Sequence, residues 1–263
     1  MIMRLNDKGL IESFLRENAA LHLCEIGDLD DFFWPHTVWY ASRADEAINA
    51  IALLYTRSAV PTLLAFSEEP ATMSELVRSI LHLLPDRFHA HFSHGVEDAL
   101  KNEYRIESRI MRLKMHLSDS SVIPQSDTSG SERLSPSDLH EIRELLSESY
   151  PENWFDERML STGQYYGIRI DGRLKSMAGV HVYSEKYGVA VLGNITTHPS
   201  HRRNGFASLV TAALCRSLLK GIGNIGLNVK EDDPAAVSCY EKLGFETVAR
   251  YGEFTAIRRG RRG

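Results

Sequence analysis

Cysteine is scarce in this chain. Cys24, Cys215 and Cys239 are the only three in 263 residues, an odd and scattered set with no CxxC spacing, which excludes a disulfide framework and offers no zinc pattern. Reduced thiols and no metal are expected. Long apolar runs are missing too: nothing approaches the ~20 residues that a bilayer-spanning helix needs, so no membrane contact is expected. Met1-Ile2-Met3-Arg4-Leu5-Asn6-Asp7 lacks the basic, apolar and small-residue order of a signal peptide, and a cytoplasmic location is the expectation. Basic excess is also absent. The formal net charge is −5, which argues against nucleic acid as the main partner, because such partners are held by basic surfaces. The run Arg258-Arg259-Gly260-Arg261-Arg262-Gly263 is a local exception and reads as a frayed, solvated terminus without function.

What is present is ordinary for a globular enzyme: 43% hydrophobic and 25% charged residues, in a chain long enough for about two domains at ~100 to 200 residues each. Ser, Asp, Pro and Gly concentrate between Ser118 and Ser135, supplying turn formers in place of core. The expected organisation is an N-terminal domain over 1–120, a linker over 121–131 and a C-terminal domain over 132–263.

Beyond the linker, Ser135-Pro136-Ser137-Asp138 caps a helix with Leu139, Ile142, Leu145 and Leu146 at helical spacing. A short helix over 155–160 follows. Gln164 to Ile170 and Leu174 to Tyr183 read as strands joined by the hairpin turn Asp171-Gly172, and Val189 to Thr197 is the next strand. A helix from Phe206 to Leu219 carries Leu209, Val210, Ala213, Leu214 and Leu218 on one stripe. Then come a strand at 225–229, a helix at 235–243 and a strand region at 247–257. This order is α+β with a mixed sheet. In the N-terminal half, 10–25 has helical spacing, 47–55 and 62–66 read as strands, and Met73 to Leu84 is a helix with Leu76, Val77, Ile80, Leu81 and Leu84 on one side. Strands at 88–92 and 108–117 complete it.

The most informative run is Arg202-Arg203-Asn204-Gly205-Phe206-Ala207 at the start of the long helix. A first helical turn leaves backbone N–H groups unpaired and partially positive, which suits a pyrophosphate, and Gly205 and Ala207 keep side chains out of its way. Here the chain resembles the GNAT superfamily of N-acyltransferases, whose signature is Arg or Gln, two residues, Gly, one residue, then Gly or Ala. Asp233, Ala236, Tyr240, Lys242, Gly244 and Phe245 match the second half of that family's pattern, in the expected order. The N-terminal half resembles the degenerate domain of tandem or glycine N-acyltransferase-like GNAT proteins, and with no phosphate turn there, one working cofactor site is expected. The resemblance implies a GNAT fold: a mixed, mostly antiparallel twisted sheet flanked by helices, preceded by a smaller α/β GNAT-like domain.

It further implies an acyl-CoA-dependent N-acyltransferase, with acetyl-CoA as co-substrate and direct attack by an acceptor amine on the thioester. Ile195, Thr196 and Thr197 would meet the pantetheine arm through their backbone. Arg202, Arg203, Asn204, Gly205, Phe206, Ala207 and Ser208 would hold the pyrophosphate, while Asn228, Asp233 and Ala236 would complete the cofactor site. Tyr240 would donate a proton to the departing thiolate. Many GNAT enzymes carry a glutamate on the strand corresponding to 189–197, and this strand has no acid. Asn194 cannot take a proton, so Glu185 and His198, on either side, are the candidate bases. The expected acceptor is a small-molecule amine; a protein acceptor, a catalytically silent acyl-CoA sensor and a homodimer stay open.

Three other features compete for attention. Gly221-Ile222-Gly223-Asn224-Ile225-Gly226 fits G-x-G-x-x-G, but it lies after a helix and before a strand, the reverse of a dinucleotide turn, so it reads as a helix end and loop. His89, His91 and His94 alternate along a strand and read as polar-face histidines in preference to metal ligands. Phe32-Phe33-Trp34-Pro35 with Trp39 and Tyr40 reads as core packing or as part of an acceptor pocket.

Overall fold

The computed structural model describes residues 2–44 and 47–260. Its strands are β1 (Ile2–Arg4), β2 (Thr37–Ala44), β3 (Ala47–Tyr55), β4 (Thr62–Ala65), β5 (Arg87–Ser93), β6 (Tyr104–Leu117), β7 (Ser131–Arg133), β8 (Tyr166–Ile170), β9 (Arg173–Ser184), β10 (Val189–Thr197), β11 (Asn224–Lys230) and β12 (Phe245–Arg258). Its α-helices are α1 (Lys8–Leu15), α2 (Leu23–Gly27), α3 (Pro70–Ile80), α4 (Leu139–Ser149), α5 (Phe206–Leu218) and α6 (Pro234–Glu241). Two compact units form. One comprises Met1–Lys114, Lys230–Asp232 and Thr247–Gly263; the other comprises Met115–Val229 and Asp233–Glu246. The units interleave along the chain, where the sequence suggests a sequential division at 121–131. The physical reason is β12, whose residues Tyr251 to Ile257 pair antiparallel with Ser93 to Arg87 of β5.

In the first unit, β1, β2, β3 and β4 pair antiparallel in turn, and β4 lies parallel to β5 with α3 as the crossover. Met73, Leu76, Val77 and Ile80 of α3 are buried in a core with Phe88, Phe92 and Phe254, the stripe expected from the sequence. Phe33, Trp39 and Tyr40 are buried as well, and β2 carries the last two, so this aromatic group packs the unit's interior. The helix expected over 10–25 is interrupted. Asn18 accepts from the Leu21 amide through Oδ1 and a 3-10 turn separates α1 from α2, because an Asn that bonds its own backbone competes with the helical ladder. Arg258 is tied down as well. Its guanidinium meets Asp86 and Glu103 and the carbonyls of Leu81 and Leu84, which corrects the frayed reading there; Arg261, Arg262 and Gly263 lie outside the described residues.

In the second unit, β7, β8, β9 and β10 pair antiparallel in turn, and β10 runs parallel to β11 with α5 between them. The connection Asp171-Gly172 has φ of 51° and 75°, the left-handed pair that a two-residue hairpin turn requires. Ser135 and Asp138 form a reciprocal cap before α4, and Ile142, Leu145 and Leu146 are buried. The helix expected over 155–160 is a 3-10 segment at Glu157–Thr162. α5 buries Val210, Ala213, Leu214 and Leu218. Each unit thus repeats one plan: an antiparallel meander, a helical crossover and a parallel partner strand, which is α+β with a mixed, mostly antiparallel sheet flanked by helices.

Candidate active site

The second unit departs from regular pairing at the place where ligand chemistry needs space. β10 and β11 are in register from Val189↔Asn224 to Leu192↔Leu227 and pair no further. Beyond Leu192, one edge of β10 stays engaged with β9, with Thr196 opposite Met177 and Thr197 opposite Ser176. Its other edge is left open toward β11. β10 also bulges between Gly193 and Thr196, with Asn194 at φ 53°, a left-handed conformation that Asn tolerates better than other side-chain-bearing residues. Gly193 has no room for a side chain. A Cβ there would lie 2.1 Å from the His181 ring, so the imidazole rests on the strand backbone.

The turn after β10 presents its amides outward. Arg203 and Gly205 are left-handed, at φ 66° and 78°, and α5 starts at Phe206 with Gly205 as its cap. Leu209 is the first residue of the helix whose amide bonds back into the turn, donating to the Gly205 carbonyl at 3.2 Å. The N–H groups of Phe206, Ala207 and Ser208 therefore form an unpaired, partially positive patch. Nothing lies within 4 Å of a Cβ on Gly205, so the glycine serves backbone conformation and open approach. Arg202 points the other way: Nε and Nη2 donate to the carbonyls of Thr197 and Ser149, each at 3.3 Å. It braces the turn, and like Arg203 and Asn204 it is exposed.

β11 carries Asn228 at the start of the unpaired stretch, and α6 follows. Asp233 caps α6 by accepting from the Ala236 amide at 3.0 Å, which assigns both residues a structural task. Tyr240 is 8% exposed, its ring 6.2 Å from that of Phe245. Burial pushes its hydroxyl well above the ordinary tyrosine range, with Cys239, Asp233 and Tyr150 adding to the shift. The phenol is thus a neutral proton donor at any ordinary pH.

Neither base suggested by the sequence reaches the bulge. Glu185 precedes the first residue of β10 and binds the Tyr183 hydroxyl, with Val189 alone already ~16 Å of strand away from Asn194 at ~3.3 Å per residue. His198 follows the last residue of β10, where Nε2 meets Glu148 at 3.1 Å and Nδ1 meets Ser200 at 2.7 Å. A hollow of about 100 Å³ beside it is lined by Glu141, Glu144, Glu148, Arg173 and Lys175, and its carboxylates make it unsuitable for a phosphate. In the first unit, His89 binds the Thr255 hydroxyl at 3.1 Å and His91 lies 3.8 Å from Glu253. Among the described residues no group of His, Cys, Asp or Glu is arranged to hold a metal.

Residues that the sequence did not single out surround the bulge. Asn194 donates through Nδ2 to the Tyr165 hydroxyl at 3.3 Å. The Tyr165 ring covers Gly179, whose Cβ would lie 2.0 Å from it. Trp154 meets the His181 ring edge-on at 5.4 Å and Phe155 meets Tyr165 at 6.1 Å. Paired glycines on adjacent strands, Gly179 and Gly193, were the available signal, since they mark close approach over a sheet.

A parallel strand pair that opens past its midpoint, a glycine-capped helix with free amides at the mouth, and a neutral buried tyrosine beyond are the arrangement that the resemblance to N-acyltransferases implies. Residues 138–245 match the acetyltransferase (GNAT) family, and the domain they build is an acyl-CoA-dependent N-acyltransferase domain of this type. No curated protein matches the sequence. Solved structures share the fold. A protein assigned to the GNAT acetyltransferases from Novosphingobium aromaticivorans is 21% identical, with a TM-score of 0.61 over 80% of this chain and 89% of its own. A Drosophila protein is 14% identical, with a TM-score of 0.69 over 97% and 98%. A tandem GNAT protein from the clavulanic acid biosynthesis pathway is 13% identical, with a TM-score of 0.55 over 100% and 99%. The last agrees with a GNAT-like unit ahead of the GNAT domain.

Proposed function

We propose that this protein transfers the acetyl group of acetyl-CoA to the primary amine of a small molecule by direct attack. The observation that carries the reading is the opening between β10 and β11 past Leu192 and Leu227, with the unpaired amides of residues 206–208 at its mouth. The pyrophosphate would meet those amides and the exposed Arg203, and the pantetheine arm would follow the free edge of Ile195, Thr196 and Thr197, opposite Asn228. In the reaction the acceptor ammonium first gives a proton to solvent. Its lone pair then forms the C–N bond at the thioester carbonyl carbon, and collapse of the adduct breaks the C–S bond with the electron pair going to sulfur. Tyr240 protonates that sulfur, and the second nitrogen proton restores the phenol. The products are the amide and free CoA thiol.

Calorimetric titration with acetyl-CoA, beside Gly205→Glu, tests this directly. The substituted carboxylate would repel the pyrophosphate and occupy a left-handed position, so native binding should be lost in the variant. A folded native protein that does not bind acetyl-CoA would sink the reading. A second reading, an acyl-CoA sensor without turnover, draws on the lack of an acid along β10. Amine-dependent release of thiol separates the two, because a sensor releases none above background.

A further inference from the structure

At the β10 bulge, Asn194 Oδ1 is buried and accepts no hydrogen bond from the protein. Asn194 is 2% exposed. The orientation of the Asn194 amide is fixed by its neighbour. The Tyr165 hydroxyl donates to the Val180 carbonyl at 3.0 Å, so toward Asn194 it can only accept, and it takes the Nδ2–H. Oδ1 therefore faces elsewhere. A buried acceptor left unmet carries its full desolvation cost, and most such atoms in folded proteins have partners.

The chemistry of this surround is selective. Its unmet carboxamide oxygen is an uncharged acceptor, and its walls are rings: Tyr165, Phe155, His181, and Trp154, which is 41% exposed. A carboxylate or phosphate would set oxygen against oxygen here. An ammonium brings three N–H donors and is attracted by aromatic faces. Asn194 also lies two residues past the last β10–β11 pair, where an acyl group seated in the opening would end.

We propose that Asn194 Oδ1 docks the amino group of the acceptor, making Asn194 the positioning residue for the nucleophile, and that the acceptor is a primary amine on an apolar, ring-bearing group. This rests on the acyl-transfer reading above. A neutral amide oxygen accepts from the ammonium and from the free amine alike. A carboxylate in its place would favour the ammonium and oppose the deprotonation that attack requires.

The test is a calorimetric titration of benzylamine into protein saturated with CoA thiol, which cannot react, for the native chain, Asn194→Gly and Asn194→Asp. Glycine keeps the left-handed backbone without strain and removes the oxygen; aspartate keeps the shape and adds charge. Benzylamine affinity should fall at least tenfold in Asn194→Gly and rise severalfold in Asn194→Asp, with CoA affinity within twofold throughout. Equal benzylamine affinity in native and Asn194→Gly proteins would overturn the proposal, as would a native CoA complex that takes up no benzylamine. Should Asn194→Gly fail to fold, the aspartate variant decides, and no gain in affinity there overturns it. Loss of CoA binding by the native protein would strike the acyl-transfer reading instead.

Discussion

Burial holds the Tyr240 hydroxyl in its neutral form, so under the proposed mechanism its one contribution is a proton. Tyr240→Phe keeps the ring against Phe245 and removes only that proton. Turnover should fall by about 10²-fold or more, with acetyl-CoA affinity within twofold; an unchanged rate of thiol release would remove Tyr240 from the donor role. A second residue makes a prediction about stability. Burial brings the His91 imidazole down to about 4, with Glu253 opposing the shift and Arg112 and Lys114 adding to it. Its value in the unfolded chain is ~6.5. Because the folded value is the lower one, this stabilisation is fully present above pH ~6.5 and is lost as pH falls toward about 4. Melting temperatures of native protein and His91→Gln at pH 7.5 and 4.5 should show the larger acid loss in the native chain. Equal losses would show that His91 does not carry the effect.

Among elements, the turn from α6 into β12 leaves no room for change at its glycine. Gly244 has φ 88°, and a Cβ on it would lie 2.0 Å from the Asp119 carbonyl oxygen, while its own carbonyl accepts from the amides of Ser118 and Asp119 at 3.0 and 3.1 Å. Gly244→Ala should cost about 2 kcal/mol or more, read from urea denaturation; a cost below 0.5 kcal/mol would mean that this turn rearranges freely. The elements also show what sequence pattern can and cannot carry. Val189 to Thr197 is legible as a strand, and Phe206 to Leu218 as a helix, because apolar periodicity and the glycine cap agree. The bulge at Asn194 leaves no trace in periodicity, since a single left-handed residue shifts register without changing composition. The aromatic surround from Trp154 to His181 is equally hidden, because it joins a loop to two strands. β2 hides too: Trp39 and Tyr40 read as an aromatic cluster, and only the pairing with Leu53 and Ala52 makes them a strand.

At the scale of the whole molecule, the repeated plan carries one phosphate turn. In the first unit the counterpart of the turn into α5 is the turn into α3, Ser67-Glu68-Glu69-Pro70. Two carboxylates there oppose an anion, and the strands do not part: Ala65 is opposite Phe92, and the Ser67 amide then donates to the Ser93 hydroxyl at 3.0 Å. Acetyl-CoA should therefore bind with one-to-one stoichiometry, and Gly205→Glu should abolish all of the binding heat. Half the heat surviving in that variant would reveal a second site.

The pairing of β12 with β5 bears on how the protein is made. A ribosome delivers β5 early and residues 247–258 more than 150 residues later. Through that interval β5 has an exposed edge of the kind that recruits stray strands. The half of the protein synthesised first is thus the half completed last, and a nascent chain halted at Gly244 would already contain the whole phosphate turn and α6 while its N-terminal sheet still lacked β12.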